Sequence, residues 1–104
     1  MQTMGKVHLH VLPALAEALG IGEANEEAIP EQGNDGNYSA LDLLNVLCAK
    51  YHRLNHSVFD VNTQKLTGQV VIFLNGRNLE LIDGLATRLI DGDTLTLVPF
   101  IEGG

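Results

Sequence analysis

At 104 residues, 45% of them hydrophobic and only 5% aromatic, the chain is sized for one domain whose core rests on Leu, Val, Ile and Ala. Thirteen acidic residues against six basic ones give a net charge of −7, which repels phosphate backbones and argues against general nucleic-acid or anionic-membrane binding. No apolar run approaches the ~20 residues of a membrane span, the opening Met1-Gln2-Thr3-Met4-Gly5-Lys6 lacks the order of a secretory signal, and a lone Cys48 forms no internal disulfide. The expectation is a soluble, cytoplasmic domain whose acidic surface complements a basic partner.

In chain order, Lys6 to Leu12 sets Val7, Leu9 and Val11 between His8 and His10 and reads as a strand that Pro13 ends. Ala14 to Leu19 is a short helix closed by Gly20. Residues 23–36 form an acidic, turn-rich region in which only Ala28-Ile29-Pro30 hints at a strand, short and at a sheet edge because of the proline. Ser39 is placed to cap a long helix, with Asp42 three residues on to complete a capping box. Leu41, Leu44, Leu47, Cys48, Tyr51 and Leu54 recur at spacings of three and four, one apolar stripe of that helix.

A polar connection from Asn55 to Gly68 is tacked to the core by Val58, Phe59 and Leu66. Gln69 to Leu74 is a continuous apolar strand, which implies an interior place in a sheet, and Asn75-Gly76 is a type I′ hairpin signal. Arg77 to Ile82 reads as the return strand with Leu79 and Leu81 on one face, and Leu85 to Ile90 as a short crossing helix. The final strand runs from Asp93 to Val98, with Leu95 and Leu97 facing one way and Thr94, Thr96 and Val98 the other. One amphipathic helix across a small mixed sheet is an α+β arrangement, with residues 1–98 as the domain and 99–104 as a tail.

The tail ends in Gly103-Gly104. Two residues without Cβ pass through a narrow channel and adopt φ > 0 at little steric cost, and they leave the terminal carboxylate as the one functional group at the tip. Such an end suits capture and activation by another protein.

The element order and this ending resemble the β-grasp, ubiquitin-like sulfur carriers of the MoaD/ThiS family. Asp91-Gly92-Asp93, the alternating strand and Val98-Pro99-Phe100-Ile101-Glu102-Gly103-Gly104 are similar to that family's "DGD-strand-PP-V-x-GG" ending. Ile72 to Gly76 is similar to its "VNG" turn, and Ala16 to Gly20 to its "LRE-x-x-G". Length and the loop at Phe59-Asp60 look more like MoaD, the molybdopterin synthase small subunit, than ThiS. Phe100 stands where a second proline is usual, and Glu102 where small residues are common.

The resemblance implies a cycle run by partners. A ubiquitin-activating-type adenylyltransferase, MoeB/ThiF-like, would use ATP and magnesium to adenylate the Gly104 carboxylate, and a persulfide sulfur would then displace AMP to leave a thiocarboxylate. The charged tail would next enter a MoaE-like large subunit of molybdopterin synthase. On this reading the chain is a substrate or subunit rather than a stand-alone catalyst, and it binds no cofactor of its own. Gly104 is the reacting group and Gly103 gives it passage, while Leu12, Val98, Pro99, Phe100, Ile101 and Glu102 are the candidate partner-binding residues. Two alternatives share the fold. One is a carrier for thiamine, cysteine or tRNA thiolation, or an archaeal-type protein modifier; the other is a non-conjugating β-grasp interaction domain.

Rival sites are thinner. His8 and His10 share a strand face, and His52 and His56 lie four apart near the helix end, but neither pair has a Cys, Asp or Glu spaced to complete a metal set. Cys48 on the apolar stripe reads as a buried, inert thiol. No nucleophile-base-acid set or phosphate loop is present in the sequence.

Overall fold

Apolar residues recur at every second position in three of the extended segments, and this alternation builds a sheet with one buried face. The computed structural model describes residues 4–30 and 38–100. Its main sheet has the order β2-β1-β7-β5-β6, from β1 (Met4–Val11), β2 (Ala24–Pro30), β5 (Val70–Leu74), β6 (Arg77–Asn78) and β7 (Thr94–Pro99). β1 and β7 run parallel at the centre, and every other neighbouring pair is antiparallel. β3 (Phe59–Asp60) and β4 (Lys65–Leu66) form a separate small hairpin.

The helix α2 (Ala40–Lys50) supplies much of the layer that covers the sheet. Ser39 caps it as the sequence predicts: the Ser39 side chain accepts from the Asp42 amide at 3.3 Å, and the Asp42 carboxylate accepts from the Ser39 amide at 2.8 Å. Its buried residues are Ala40, Leu43, Leu44, Leu47 and Cys48, so the apolar stripe is centred one step from the predicted one, and Leu41 and Tyr51 are half-buried. The helix is also shorter than expected. Tyr51 leaves helical geometry, and a 3₁₀ turn, His52–Leu54, carries Leu54 to full burial. Val7, Leu9, Val11, Ile29, Ile72, Leu95 and Leu97 meet this layer from the sheet, and Val58 and Phe59 seal one side at zero exposure.

The other elements divide into those the sequence places and those it misplaces. The short helix α1 (Pro13–Leu19) forms, with Gly20 as its cap. β2 does lie at the sheet edge, but it runs seven residues and not three. At the Asn75-Gly76 turn both residues have positive φ, 51° and 84°, the type I′ geometry. The return strand, however, stops after Asn78. The Asn78 side chain accepts from the Glu80 amide at 2.9 Å and starts a 3₁₀ turn, Leu79–Leu81, which is the local side-chain competition with pairing that asparagine favours. Leu79 and Leu81 therefore do not share a face: Leu79 is buried and Leu81 is 81% exposed.

The expected crossing helix over 85–90 is also absent, with only the 3₁₀ turn Gly84–Ala86 in its place. Backbone groups that such a helix would use internally pair instead with the start of α2. Ala40 donates to the Thr87 carbonyl at 2.9 Å and Leu89 donates to the Tyr38 carbonyl at 2.8 Å. β5 does take the interior place that its apolar run implies, between β7 and β6, with only one of its faces covered. Val70, Ile72 and Leu74 are buried, while Val71 and Phe73 are half-exposed on the opposite face.

No helix among the described residues is long and apolar enough to cross a membrane.

Candidate functional site at the root of the tail

The last strand is held in register from its N-terminal end. Asp93, 8% exposed, accepts from the Ile90 amide at 2.8 Å and from the Asn75 side-chain amide at 2.9 Å. Asn75 in turn accepts from the Thr94 amide at 2.9 Å and donates its own backbone amide to the Thr94 carbonyl at 2.8 Å. Asp91 accepts from the Lys6 amide at 2.8 Å, and Gly92 donates to the Lys6 carbonyl at 2.8 Å. Gly92 reaches that carbonyl with φ of 91°, a conformation that side-chain-bearing residues rarely adopt. The Asp91-Gly92-Asp93 and Asn75-Gly76 motifs are therefore one clamp that joins the ends of β1, β5 and β7. Its consequence lies at the far end of β7, because a one-residue slip would exchange Leu97 for Val98 on the core face.

At that far end the open sheet face carries an apolar row. Val98 pairs with Val71 across β5, and Leu12 sits beside it, donating to the Leu97 carbonyl at 3.3 Å. Leu12 is 44% exposed, while Val98 and Val71 are half-buried. Phe73, half-buried opposite Thr96, extends the row inward. A row of this kind on an otherwise polar face is surface that a partner would cover.

Pairing continues one residue past Val98. Pro99 pairs with Val70, and the Phe100 amide donates to the Gln69 carbonyl at 2.9 Å. A second proline at position 100 would have no N–H to make that bond. Phe100 itself is 57% exposed at the root of the tail. The structure thus brings Leu12, Val98, Pro99 and Phe100 to one end of the sheet. Ile101, Glu102, Gly103 and Gly104 lie outside the described residues. Sequence reasoning missed Val71 and Phe73, taking their strand as continuously apolar. The period of two that puts 70, 72 and 74 on one face and 71 and 73 on the other was the available signal.

The rival residues sit elsewhere. On the polar half of the open face, Glu26 lies 3.6 Å from both Lys6 and His8. His56 lies 3.6 Å from Asp60, whose carboxyl is held below its usual range, chiefly by the Asn62 amide. Among the described residues no three His, Cys, Asp or Glu gather in a way that would hold a metal ion. Cys48 is 5% exposed, and burial pushes its thiol pKa up, the environment of an unreactive thiol.

Mixed sheet, covering helix and a clamped last strand leading into the tail define a β-grasp, ubiquitin-like domain. The ThiS family model matches residues 21–104, and the chain belongs to that family. A protein of Archaeoglobus fulgidus named as a sulfur carrier is 40% identical over 40 residues, a stretch that spans 38% of this chain and 46% of that protein. The solution structure of small archaeal modifier protein 1 from Methanosarcina acetivorans is 27% identical with a TM-score of 0.74, covering 98% of this chain and 99% of that one. A Pyrococcus furiosus protein named as subunit 1 of the molybdopterin converting factor shares the fold, with a TM-score of 0.68 at 20% identity over 93% of this chain and 99% of that one.

Proposed function

We propose that this chain is a sulfur carrier whose Gly104 carboxylate is activated by a partner enzyme and converted to a thiocarboxylate. The observation that carries this reading is the clamped β7, which delivers a chain ending in Gly-Gly past the open row of Leu12, Val98 and Val71. A carboxylate resists nucleophilic attack because its negative charge repels the nucleophile. Adenylation with ATP and magnesium, both bound by the activating partner, removes that charge and supplies AMP as leaving group. A persulfide sulfur then attacks the acyl carbon, AMP departs, and reductive cleavage of the sulfur–sulfur bond by a thiol of the partner leaves the thiocarboxylate. The carrier contributes the reacting terminus, and the partner supplies the electrostatic stabilisation of the transition state.

Molybdopterin synthesis is the destination we favour, with a MoaE-like large subunit receiving the charged tail. The motif resemblance supports this, as does the naming of the Pyrococcus furiosus protein for that system. The likeness to small archaeal modifier protein 1 favours a second reading, in which the activated Gly104 is joined to lysines of other proteins.

The test is intact-mass measurement after incubation with a MoeB/ThiF-like enzyme, ATP, magnesium and a sulfur donor. The expected result is the mass gain of one oxygen-to-sulfur exchange, mapped to the C-terminal glycine. Absence of both the adenylate and the thiocarboxylate overturns the carrier reading. An isopeptide to a target lysine in place of sulfur delivery to a pterin precursor would select the modifier.

A further inference from the structure

β2 is the outer strand of the sheet, and its outer side pairs with nothing among the described residues. The direction of its backbone groups follows from two bonds. Val11 donates to the Glu23 carbonyl at 2.8 Å, and His8 donates the other way, to the Asp93 carbonyl at 2.8 Å. In an antiparallel pair the bonded positions alternate, so Glu23, Asn25, Glu27 and Ile29 turn toward β1. With this register, Ala24, Glu26 and Ala28 turn their N–H and C=O groups outward. All three are exposed. Pro30, opposite Met4, has no N–H to add and ends the outward row.

Natural edges are usually blunted by bulges, lysines or inward charges. β2 has one inward charge, Glu27, buried against Lys50, but its outward row is not blunted. Here the two flanking side chains, Ala24 and Ala28, are too small to obstruct an incoming strand. The single charge on the row is Glu26, 56% exposed, with Lys6 and His8 on its β1 side only. Glu23, just before the strand, is exposed as well, and residues 23–30 hold no lysine or arginine. A second copy of the chain is a poor occupant, since antiparallel pairing centred on Glu26 sets one Glu26 against the other.

We infer that the Ala24–Ala28 edge is a strand-addition site for an extended protein segment carrying lysine or arginine at alternate positions. Main-chain bonds to Ala24, Glu26 and Ala28 supply the pairing, and a basic side chain opposite Glu26 supplies the preference, as in strand addition generally. β1 separates this edge from β7. A partner bound here would therefore hold the domain while leaving the root of the tail open to another. The site does not depend on the chemistry of Gly104.

The experiment is residue-resolved amide hydrogen exchange on the full chain, with an acetylated and amidated peptide of alternating Lys and Val as probe. At about ten times its Kd, exchange at Ala24, Glu26 and Ala28 should slow by about tenfold. A Glu-Val peptide of the same length should leave it unchanged. Ala28→Pro removes an outward N–H without touching the bonds to β1. It should abolish the slowing while Glu27 and Ile29 keep their protection. Glu26→Lys, which leaves the backbone intact, should reverse the preference between the two peptides. Unchanged exchange at the three amides, or equal slowing by both peptides, overturns the inference.

Discussion

Leu97 and Val98 are neighbours on β7, and the difference between them is the difference between the two faces of the sheet. Leu97 is 1% exposed against α2 and its surrounding turns. Val98 looks outward between Leu12 and Val71, half-buried. Packing closes the first face: Val7, Leu9, Ile29, Leu43, Leu47 and Leu89 all lie under 2% exposed there. The second face grades from charged to apolar, from Lys6, His8 and Glu26 at one end to Leu12, Val98 and Phe100 at the other. Folding accounts for the first face and leaves the apolar end of the second without a structural purpose. That end also carries Phe100, the last described residue before the Gly-Gly tail.

Substitution at the core face should produce the largest loss. Leu97→Ala removes a fully buried side chain from the centre of the layer, and about 2–5 kcal/mol of unfolding free energy should go with it, measured by urea denaturation. A loss under about 1 kcal/mol would mean that the site collapses freely and that the two faces are not so differently packed. Next comes the clamp that assigns each residue its face. Asp93→Ala deprives Ile90 and the Asn75 side chain of their acceptor, and should cost about 1–3 kcal/mol. Hydrogen exchange at Thr94 should rise with it, whereas loss of exchange protection confined to distant α2 would argue against a clamp.

A smaller, pH-dependent contribution ties the covered layer to the edge strand. Lys50 lies 3.0 Å from the Glu27 carboxylate, which is only 7% exposed, and the hydrogen bond to Glu27 raises the Lys50 pKa above its ordinary 10.5. A raised folded-state value stabilises fully below the unfolded pKa and is lost as pH climbs through the folded one. The Tm difference between the native chain and Lys50→Met should therefore hold steady to about pH 10 and shrink above it. Shrinkage between pH 7 and pH 9 would assign the effect to another group.

What the sequence made legible was whatever a short local pattern enforces. Ser39 with Asp42, the positive-φ pair Asn75-Gly76, and the Leu95/Leu97 alternation each contain their own physical cause within a few residues. The segment from Leu79 to Ile90 failed because its backbone partners are distant: Thr87 and Leu89 bond the residues that start α2, 47 and 51 positions earlier. Asn78 had a local signal, but a hydrophobic run beside a hairpin turn outweighed it. The tail-root residues Leu12, Val98 and Phe100 were legible through the motif. Val71 and Phe73 were not, since the unbroken apolar run from Val70 to Leu74 masks the period of two that separates the two faces of the strand.

The smallest stability effect belongs to the open row, and that is what makes it the sharpest probe. Replacing both Leu12 and Val98 by serine removes apolar surface that solvent already reaches, so unfolding free energy should move by no more than about 0.5 kcal/mol for each. If the row meets the activating enzyme, the KM for the carrier in adenylate formation should rise more than about fivefold, the threshold of an energetically significant contact, while the rate at saturating carrier is kept. An unchanged KM would sever the open row from the tail and leave Phe100 as the contact to examine. Loss of stability on the scale of Leu97→Ala would instead mean that the outward face is part of the core. The contrast between adjacent residues on one strand would then have no bearing on partner binding.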